Sequence, residues 1–456
     1  MLPIPSVLLL LFGCIEVQLR EIGTPAPADP PPPPPADTGV GSPTDTGPQS
    51  ETQGAYDLPE AQPMTACSSA PARFELELAW EWTGWSEDAR VRNVRTTPQL
   101  ADLDGNGVLE VVFVAVNDVD APSKHVLFVL DGRSGDQILA VPDVYGYASR
   151  FAVLDADGDG SDEIVVTSAG DVIALDLQGT RWIHEPSRDC ASYVLPGDFD
   201  DDGVMELATA CGMLDAATGL LLSMEPRCAR TAFDVDGDGT EELFCADAVY
   251  GSDGTEVVAL QQPSLGTLPD PSGGFLVKTN EGIDRYDERF TWIGTTPTLL
   301  EPSTVGACSA DADADGVPEV FLPLQDDLAA WSIDGPHRWS AHRPGVHGGD
   351  GTRVCTAVDL DADGCAEIVW PQNGAPRIHD ASTGELVGDL ELGEANTTRL
   401  QPLPIEDIDG DGSLDILING SALGSPQDHW TGVRMVREAH GAWVGEAPPL
   451  LRTGAR

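Results

Sequence analysis

Short apolar runs separated by turn residues recur from residue 73 onwards, and the first of them has the period of two that is typical of half-buried β-strands. Residues 74–82 alternate strictly, and further apolar runs such as 151–154 and 164–166 are short and bounded by turn residues. Between residue 73 and about residue 443 the apolar residues almost never follow the period of a helix. The pattern therefore predicts an all-β fold with many short strands.

Seven of the turns share one nine-residue pattern, D-x-D-x-D-G-x-x-E, which runs directly into an apolar strand. Acidic or amide side chains occupy positions one, three, five and nine, and glycine at position six permits the sharp turn through which they converge. The predicted metal ligands are Asp102, Asp104, Asn106 and Glu110; Asp155, Asp157, Asp159 and Glu163; Asp198, Asp200, Asp202 and Glu206; Asp234, Asp236, Asp238 and Glu242; Asp311, Asp313, Asp315 and Glu319; Asp359, Asp361, Asp363 and Glu367; and Asp407, Asp409, Asp411 and Asp415.

These oxygen ligands predict about seven calcium sites. A single Asp/Gly cluster is commonly a solvated turn, but seven copies with one spacing favour metal ligation. The loops are not EF-hands, because none of them has an acid at position twelve. Oxygen ligands suit Ca²⁺ better than zinc or copper, which prefer His and Cys, and better than Mg²⁺, which keeps several water ligands.

The spacing of the loops predicts the number of repeats. Consecutive loops start 53, 43, 36, 77, 48 and 48 residues apart, so the long interval indicates one repeat that lacks a loop, with residues 270–273 as its remnant turn. A second marker, an acidic turn before a strand that often contains Trp, occurs eight times. Eight repeats of this size predict an eight-bladed β-propeller of four-stranded blades, with seven blades as the alternative. Each metal loop would join the first and second strands of a blade, and residues 74–82 would close the ring.

Residues 151–166, FAVLDADGDGSDEIVV, resemble the FG-GAP/VCBS repeat. This family forms the integrin-α-type β-propeller and occurs in many bacterial surface proteins, and the resemblance covers about residues 90–445. It implies that the acidic loop residues named above bind Ca²⁺. Two departures are expected to matter. The repeat without a loop should have no site, and the neutral Asn106 should weaken the first site by one charge.

The first 72 residues differ from the rest. Residues 1–13 contain a short apolar run that predicts a signal peptide, and residues 11–14, LFGC, resemble a bacterial lipobox that would place a lipid on Cys14. An ordinary signal peptide is the alternative. Residues 14–72 are rich in Pro and predict a disordered linker, which would leave residues 73–450 as the propeller domain.

Charge and cysteine content restrict the environment of the protein. The net charge of −52 excludes nucleic acid and anionic membrane surfaces as partners, so membrane contact is expected only through the lipid on Cys14. Eight further cysteines in an exported chain predict disulfides, with free thiols as the alternative. The favoured pairs are Cys190/Cys211 and Cys228/Cys245, and Cys355/Cys365 is a further candidate pair.

Catalytic motifs are not apparent in the sequence, because it contains neither H-E-x-x-H nor G-x-S-x-G. The sequence therefore predicts a non-enzymatic, monomeric binding or adhesion module at the cell envelope, with a protein or glycan as its ligand. One alternative is a lyase-like enzyme acting on polysaccharide, a hypothesis that depends on fold analogy. Another alternative is a structural spacer in an envelope assembly.

Overall fold

A computed structural model describes the following parts of the chain: residues 61–62, 64, 67, 73–94, 96–117, 124–144, 151–168, 170–185, 193–223, 231–251, 253–270, 272–296, 307–323, 327–333, 335–342, 355–372, 374–393, 403–421 and 430–445. The predicted signal peptide and the predicted lipid site at Cys14 lie outside these ranges, as do most of the predicted linker, Cys190 and Cys228.

The described residues form strands and no helices, which confirms the all-β prediction. No segment in these ranges is a helix long and apolar enough to cross a membrane. The strands of the first half are β1 (Leu76–Trp82), β2 (Asn93–Val94), β3 (Gln99–Ala101), β4 (Glu110–Asn117), β5 (Lys124–Asp131), β6 (Gln137–Pro142), β7 (Phe151–Leu154), β8 (Glu163–Ser168), β9 (Asp171–Asp176), β10 (Gly179–His184), β11 (Val194–Gly197), β12 (Glu206–Thr209), β13 (Gly212–Asp215), β14 (Leu221–Ser223), β15 (Thr231–Phe233), β16 (Glu242–Phe244), β17 (Ala248–Tyr250) and β18 (Glu256–Ala259).

The second half continues in the same way and completes the set. Its strands are β19 (Gly266–Pro269), β20 (Phe275–Lys278), β21 (Ile283–Tyr286), β22 (Trp292–Thr296), β23 (Cys308–Ala310), β24 (Glu319–Pro323), β25 (Asp327–Ser332), β26 (His337–His342), β27 (Thr356–Val358), β28 (Glu367–Gln372), β29 (Ala375–Asp380), β30 (Leu386–Asp389), β31 (Ile405–Glu406), β32 (Asp415–Gly420) and β33 (Gly432–Glu438).

These strands form eight antiparallel sheets, and each sheet is one blade of a β-propeller. Blade one contains β2–β6, blades two to seven contain four consecutive strands each from β7 to β30, and blade eight contains β31, β32, β33 and β1. The inner strand of blade one is interrupted, so that β2 and β3 both pair with β4. The prediction of eight four-stranded blades is confirmed, and the seven-bladed alternative is wrong.

The N-terminal strand closes the ring, as the sequence predicted. β1 pairs with β33 in antiparallel register, from Leu76 opposite Glu438 to Trp82 opposite Val433. β1 is therefore the outermost strand of blade eight, although it precedes blade one in the chain. This arrangement joins both ends of the domain in one sheet and leaves no open gap in the ring.

Apolar side chains pack between neighbouring blades. The second strands β4, β8, β12 and β32 are buried along their whole length, which explains their continuous apolar sequences. Between blades eight and one, the ring of Trp82 lies 4.9 Å from that of Phe113 and 4.8 Å from that of Phe128. The core is therefore a circular series of interfaces between sheets.

In blades two, six and eight, a tryptophan on the outer strand forms a hydrogen bond to the next blade. The indole Nε1 donates to a backbone carbonyl in the acidic turn between the third and fourth strands of the following blade. Glycines in these turns permit the close approach, since a Cβ atom at Gly219 would lie 2.5 Å from the Trp182 ring. The bonds run from Trp80 to Gly132 (2.7 Å), from Trp182 to Ala216 (3.0 Å) and from Trp339 to Ala381 (2.8 Å).

The predicted disulfide between Cys355 and Cys365 is wrong, because each of these cysteines bonds to another partner. Cys355 bonds to Cys308 with a Cα–Cα distance of 5.5 Å, because the segment before β27 packs against the inner strand of blade six. Cys365 lies in the following loop and bonds to Cys67 with a Cα–Cα distance of 5.8 Å. Cys211 and Cys245 are also disulfide-bonded, with partners outside the described residues. The predicted pairings Cys190/Cys211 and Cys228/Cys245 therefore stay predictions.

Part of the chain before residue 73 contacts the propeller. The amide of Gln62 donates to the carbonyl of His337 at 2.8 Å, and Met64 packs against the apolar cluster between blades six and seven. Together with the Cys67–Cys365 bond, these contacts extend the ordered chain N-terminal of the predicted domain start.

Candidate metal centres

The seven acidic loops occupy equivalent places in seven blades. Each loop joins the inner strand to the second strand, and the acid at position nine is the first residue of the second strand. In blade two, for example, Leu154 at the end of β7 pairs with Glu163 at the start of β8. The structure therefore confirms the predicted position of these loops between the first two strands of a blade.

Hydrogen bonds within each loop fix its backbone. In blade two, Asp155 accepts from the amides of Asp159 (3.1 Å) and Gly160 (3.0 Å), and Asp159 accepts from the amide of Ser161 (2.9 Å). The bond from the glycine at position six to the first aspartate measures 2.9–3.1 Å in all seven loops. Gly160 has a φ of 92°, which is the left-handed conformation that the pattern predicted for position six.

Position four is also left-handed, a feature that the sequence reasoning missed. Four of the loops have glycine there, and this excess of glycine was the available signal. Non-glycine residues occupy the position in the other three loops and still take φ values of 55–58°. The residues at position four are Gly105, Gly158, Asp201, Gly237, Ala314, Ala362 and Gly410.

The acid at position nine is buried and uses only one of its oxygens in the loop. Glu163 is 2% exposed, and its Oε2 accepts from the amide of Ala156 at 2.9 Å. The same bond to the amide at position two measures 2.8–3.2 Å in all seven loops. The second oxygen is not used in this bond, and in blade two it accepts from Nη1 of Arg181 at 2.8 Å.

The carboxylates converge as a metal site requires. One oxygen each from Asp155, Asp157 and Glu163 lie within 4.8 Å of one another. Equivalent groups form in blades one, three and four, while in blade six the group consists of Asp311, Asp313 and Asp315. Two more groups in the described chain meet the same criterion.

Burial raises the pKa of every acid at position nine. The pKa rises to about 7 for Glu163 and to about 8 for Glu367, mainly because burial disfavours the charged form, with the aspartates of the same loop adding repulsion. A bound cation would reverse this effect. The other acids whose pKa is raised to about 7 are Glu110, Glu206, Glu242, Glu319 and Asp415.

Buried oxygens without a hydrogen bond occur in the loops of blades six and seven, and one of them, Oε1 of Glu319, lies 3.8 Å from Nε of Arg338. Oδ1 of Asp313, Oε1 of Glu319 and Oδ1 of Asp361 are buried and have no hydrogen-bond partner within the described chain. Such atoms are costly unless a ligand satisfies them. Because the donors are all oxygens, these groups could hold a hard cation.

The amide in the first loop preserves the loop geometry without a charge. Oδ1 of Asn106 accepts from the amide of Val108 at 2.7 Å, as the aspartate at position five does in the other loops. Asn can therefore replace Asp in the hydrogen-bond frame, and only the charge is lost. The weaker first site stays a prediction.

Blade five has a tight turn in place of the metal loop, and an arginine side chain bonds the acid of this turn. As predicted, β19 and β20 are joined by a tight turn that begins at Asp270, whose carboxylate accepts from Nε of Arg285 at 2.7 Å. Phe275 occupies the place of the buried acid and stacks on Tyr286 with ring centroids 4.6 Å apart. The guanidinium thus supplies the positive charge at this strand junction.

A second arginine, also not anticipated from the sequence, contacts the loop of blade two. Arg181 on the outer strand donates to Oε1 of Glu163 at 2.8 Å and to the carboxylate of Asp157. It therefore contacts two of the three carboxylates of that group. The only signal in the sequence was its place directly before Trp182.

Comparisons with known proteins support the architecture. No family model and no curated protein sequence matches the chain. The structure is similar to that of the biofilm matrix protein Bap1 of V. cholerae, at 15% identity and a TM-score of 0.62, over 81% of this chain and 92% of that one. It is also similar to the exotype rhamnogalacturonan lyase YesX at 14% identity and a TM-score of 0.54, covering 76% and 72% of the two chains. A rhamnogalacturonan lyase from Bacillus licheniformis matches at 15% identity and a TM-score of 0.51, with 75% and 71% covered.

Proposed function

We propose that this protein is an exported β-propeller whose acidic loops bind Ca²⁺ and whose surface binds a protein or glycan at the cell envelope. The observation that carries the calcium assignment is the recurrence of converging carboxylates at the same strand junction of successive blades, with buried oxygens that lack a hydrogen bond in two of the loops. Disulfides are typical of exported proteins and support an extracytoplasmic location. The similarity to a biofilm matrix protein over most of both chains supports adhesion.

The bound ions would act as structural clamps. Each would join the end of an inner strand to the start of the second strand, and seven of them would lower the net charge from −52 to −38. Metal binding and folding are therefore expected to be coupled. Removal of Ca²⁺ with a chelator should lower the melting temperature substantially, and added Ca²⁺ should restore it more effectively than Mg²⁺. An unchanged melt after chelation would contradict the assignment.

Envelope binding is tested by retention on isolated envelope material. The purified chain should be retained in Ca²⁺ and released after chelation, because the loops that shape the surface lose their order. Retention that is absent in both conditions would favour the structural spacer. Turnover of any member of a glycan panel, measured as unsaturated product, would instead favour the lyase-like enzyme suggested by two structures of similar fold.

Lipid anchoring is a separate part of the proposal. Replacing Cys14 with Ser should release the protein from the membrane fraction while leaving its Ca²⁺-dependent melt unchanged. A Cys14→Ser variant that stays in the membrane fraction would favour an ordinary signal peptide. A further control is the distribution of the wild type after high salt, which removes proteins held by charge alone.

A further inference from the structure

A pocket lies where blade eight meets blade one, away from the acidic loops. It has a volume of about 410 Å³ and opens beyond the paired ends of β1 and β33. Its walls include Thr83, Trp85, Arg92, Trp430 and Arg434. This volume is within the range of small-molecule binding sites.

The local backbone brings an indole and a guanidinium to one wall of the pocket. The amide of Trp85 donates to the carbonyl of Val91 at 3.0 Å, which closes the loop between them and places Arg92 directly after it. Gly84 permits this arrangement, since a Cβ atom there would lie 3.2 Å from Cβ of Arg92. The wall is therefore built by backbone contacts.

The two tryptophans have unused hydrogen-bonding capacity. Trp85 is only 8% exposed and packs edge-on against Phe128 with ring centroids 6.0 Å apart. Nε1 of Trp85 and Nε1 of Trp430 are both buried and lack a hydrogen-bond partner in the described chain. An indole N–H can only donate, so both of these donors stay unsatisfied within the described chain.

Positive charge surrounds these rings in an otherwise acidic protein. The guanidinium of Arg434 lies 4.2 Å above the Trp430 ring and is held by Glu81 at 3.1 Å. Lys124 lies 5.6 Å from the Trp85 ring and pairs with Asp88 at 3.7 Å. Arg92 is exposed and forms no ion pair with any described residue. The chain has only 24 Lys and Arg residues against 76 acids, so this local grouping of cations is a distinct feature of the surface.

We propose that this pocket binds a uronic acid unit of an acidic polysaccharide, an inference that rests on the binding role proposed above. The exposed part of the Trp430 ring packs against the C–H face of a sugar ring, and the hydroxyls of Thr83 and Thr431 bond sugar hydroxyls. The guanidinium of Arg92 bonds the carboxylate in a bidentate manner. A neutral sugar would leave this cation unpaired, so the carboxylate gives the selectivity.

Calorimetry with the Ca²⁺-loaded full chain tests the ligand class. The probes are trigalacturonate and the same trisaccharide with its carboxylates reduced to alcohols, which differ only in charge. Trigalacturonate should bind at least about tenfold more tightly, because a charge-assisted bond is lost in the reduced probe. Equal affinity for the two probes, or no binding of trigalacturonate, would overturn the proposal. Retention on envelope material would in either case still support the proposed function.

Substitutions of pocket residues test whether trigalacturonate binds in this pocket. Arg92→Gln should weaken trigalacturonate binding about tenfold, and Trp430→Leu should abolish the change in indole fluorescence on titration. Arg73→Gln is the matched control, because Arg73 is also an exposed arginine but pairs with Glu385 outside the pocket. If Trp430→Leu fails to fold, Arg92→Gln decides the question, since its side chain is exposed. Unchanged affinity in folded Arg92→Gln would overturn the assignment to this pocket.

Discussion

The acid at position nine shows how a single residue links the fold to the metal. One of its oxygens bonds a backbone amide inside the loop, and in blades one to four the acid also offers an oxygen within 4.8 Å of two aspartates of the same loop. Burial of a charged group without a partner is unfavourable, and this is why its pKa rises. The sequence predicted the residue type and the spacing but could not show how deeply the strand junction buries it.

The raised pKa values predict an unusual pH dependence for the metal-free protein. Eight described acids, the seven at position nine and Glu241, have a folded-state pKa of about 7 or 8, above the ordinary values of 3.8 for Asp and 4.5 for Glu. Between about pH 5 and pH 7 the folded state therefore binds more protons than the unfolded state, so stability should fall as the pH rises. In excess Ca²⁺ this trend should flatten or reverse, because the metal requires deprotonated ligands. Thermal melts from pH 5 to pH 8, with and without Ca²⁺, measure both pH trends. A metal-free melting temperature that rises with pH would contradict the prediction.

Arg285 should contribute strongly to the free energy of unfolding through its contact in blade five. Its side chain bonds Asp270, whose carboxylate is fully buried, so Arg285→Met would leave an unpaired buried charge and cost about 3–5 kcal/mol. The double variant Arg285→Met with Asp270→Asn should recover part of this loss, because the buried charge is removed. Arg73→Met is the control, since its ion pair is exposed and such pairs contribute about 1 kcal/mol or less. Denaturant unfolding measures all three, and equal losses for Arg285→Met and Arg73→Met would contradict the argument.

The strands and loops of each blade were largely predictable, because the alternating pattern and the acidic spacing are local properties of the sequence. The remnant turn at residues 270–273 was also predictable from the long interval between loops. The contacts of Arg181 and Arg285 were not, since a residue's partner on another strand depends on register. The bonds from outer-strand tryptophans to the next blade were missed for the same reason.

The contact between Trp182 and the turn of blade three predicts a sensitive glycine. Gly219 has a φ of 69°, and a Cβ atom there would lie 2.5 Å from Cε3 of Trp182. Gly219→Ala should cost about 1–2 kcal/mol for the left-handed backbone and about 1–3 kcal/mol more for the steric overlap. Gly441→Ala is the matched control, with a φ of 68° and no atom within 4 Å of the added Cβ. Comparison of the two unfolding free energies isolates the packing effect, and equal values would show that the turn does not hold the indole.

Across the whole ring, the segment before blade one is attached to the last two blades by noncovalent and covalent means. β1 pairs with β33 in blade eight, and Cys67, a few residues earlier, bonds to Cys365 in blade seven. The first of these was predictable because a ring with an unpaired edge is unstable. The second was not, because eight cysteines allow 105 pairings and the sequence does not specify which loops meet in space.

The two assigned disulfides should differ in their effect on stability. In the chain-entropy view a crosslink stabilises by restricting the unfolded state, and the separations are 298 residues for Cys67–Cys365 and 47 for Cys308–Cys355. Loss of these bonds should therefore cost roughly 6 and about 4 kcal/mol respectively. Unfolding of the two double Ser variants in guanidinium chloride measures the difference. A larger loss for the shorter loop would indicate that local packing, and not chain entropy, dominates.

The order of Cys67 and β1 along the chain has a mechanical consequence. A pull applied to the segment before Cys67 loads the contacts of Gln62 and Met64 and then the disulfide to blade seven, and the hydrogen bonds between β1 and β33 are not loaded. Those bonds would otherwise separate one after another, as the strand peels from the edge of its sheet. The propeller therefore resists tension from its N-terminal side with a covalent bond, and reduction of that bond would transfer the force to the strand that closes the ring.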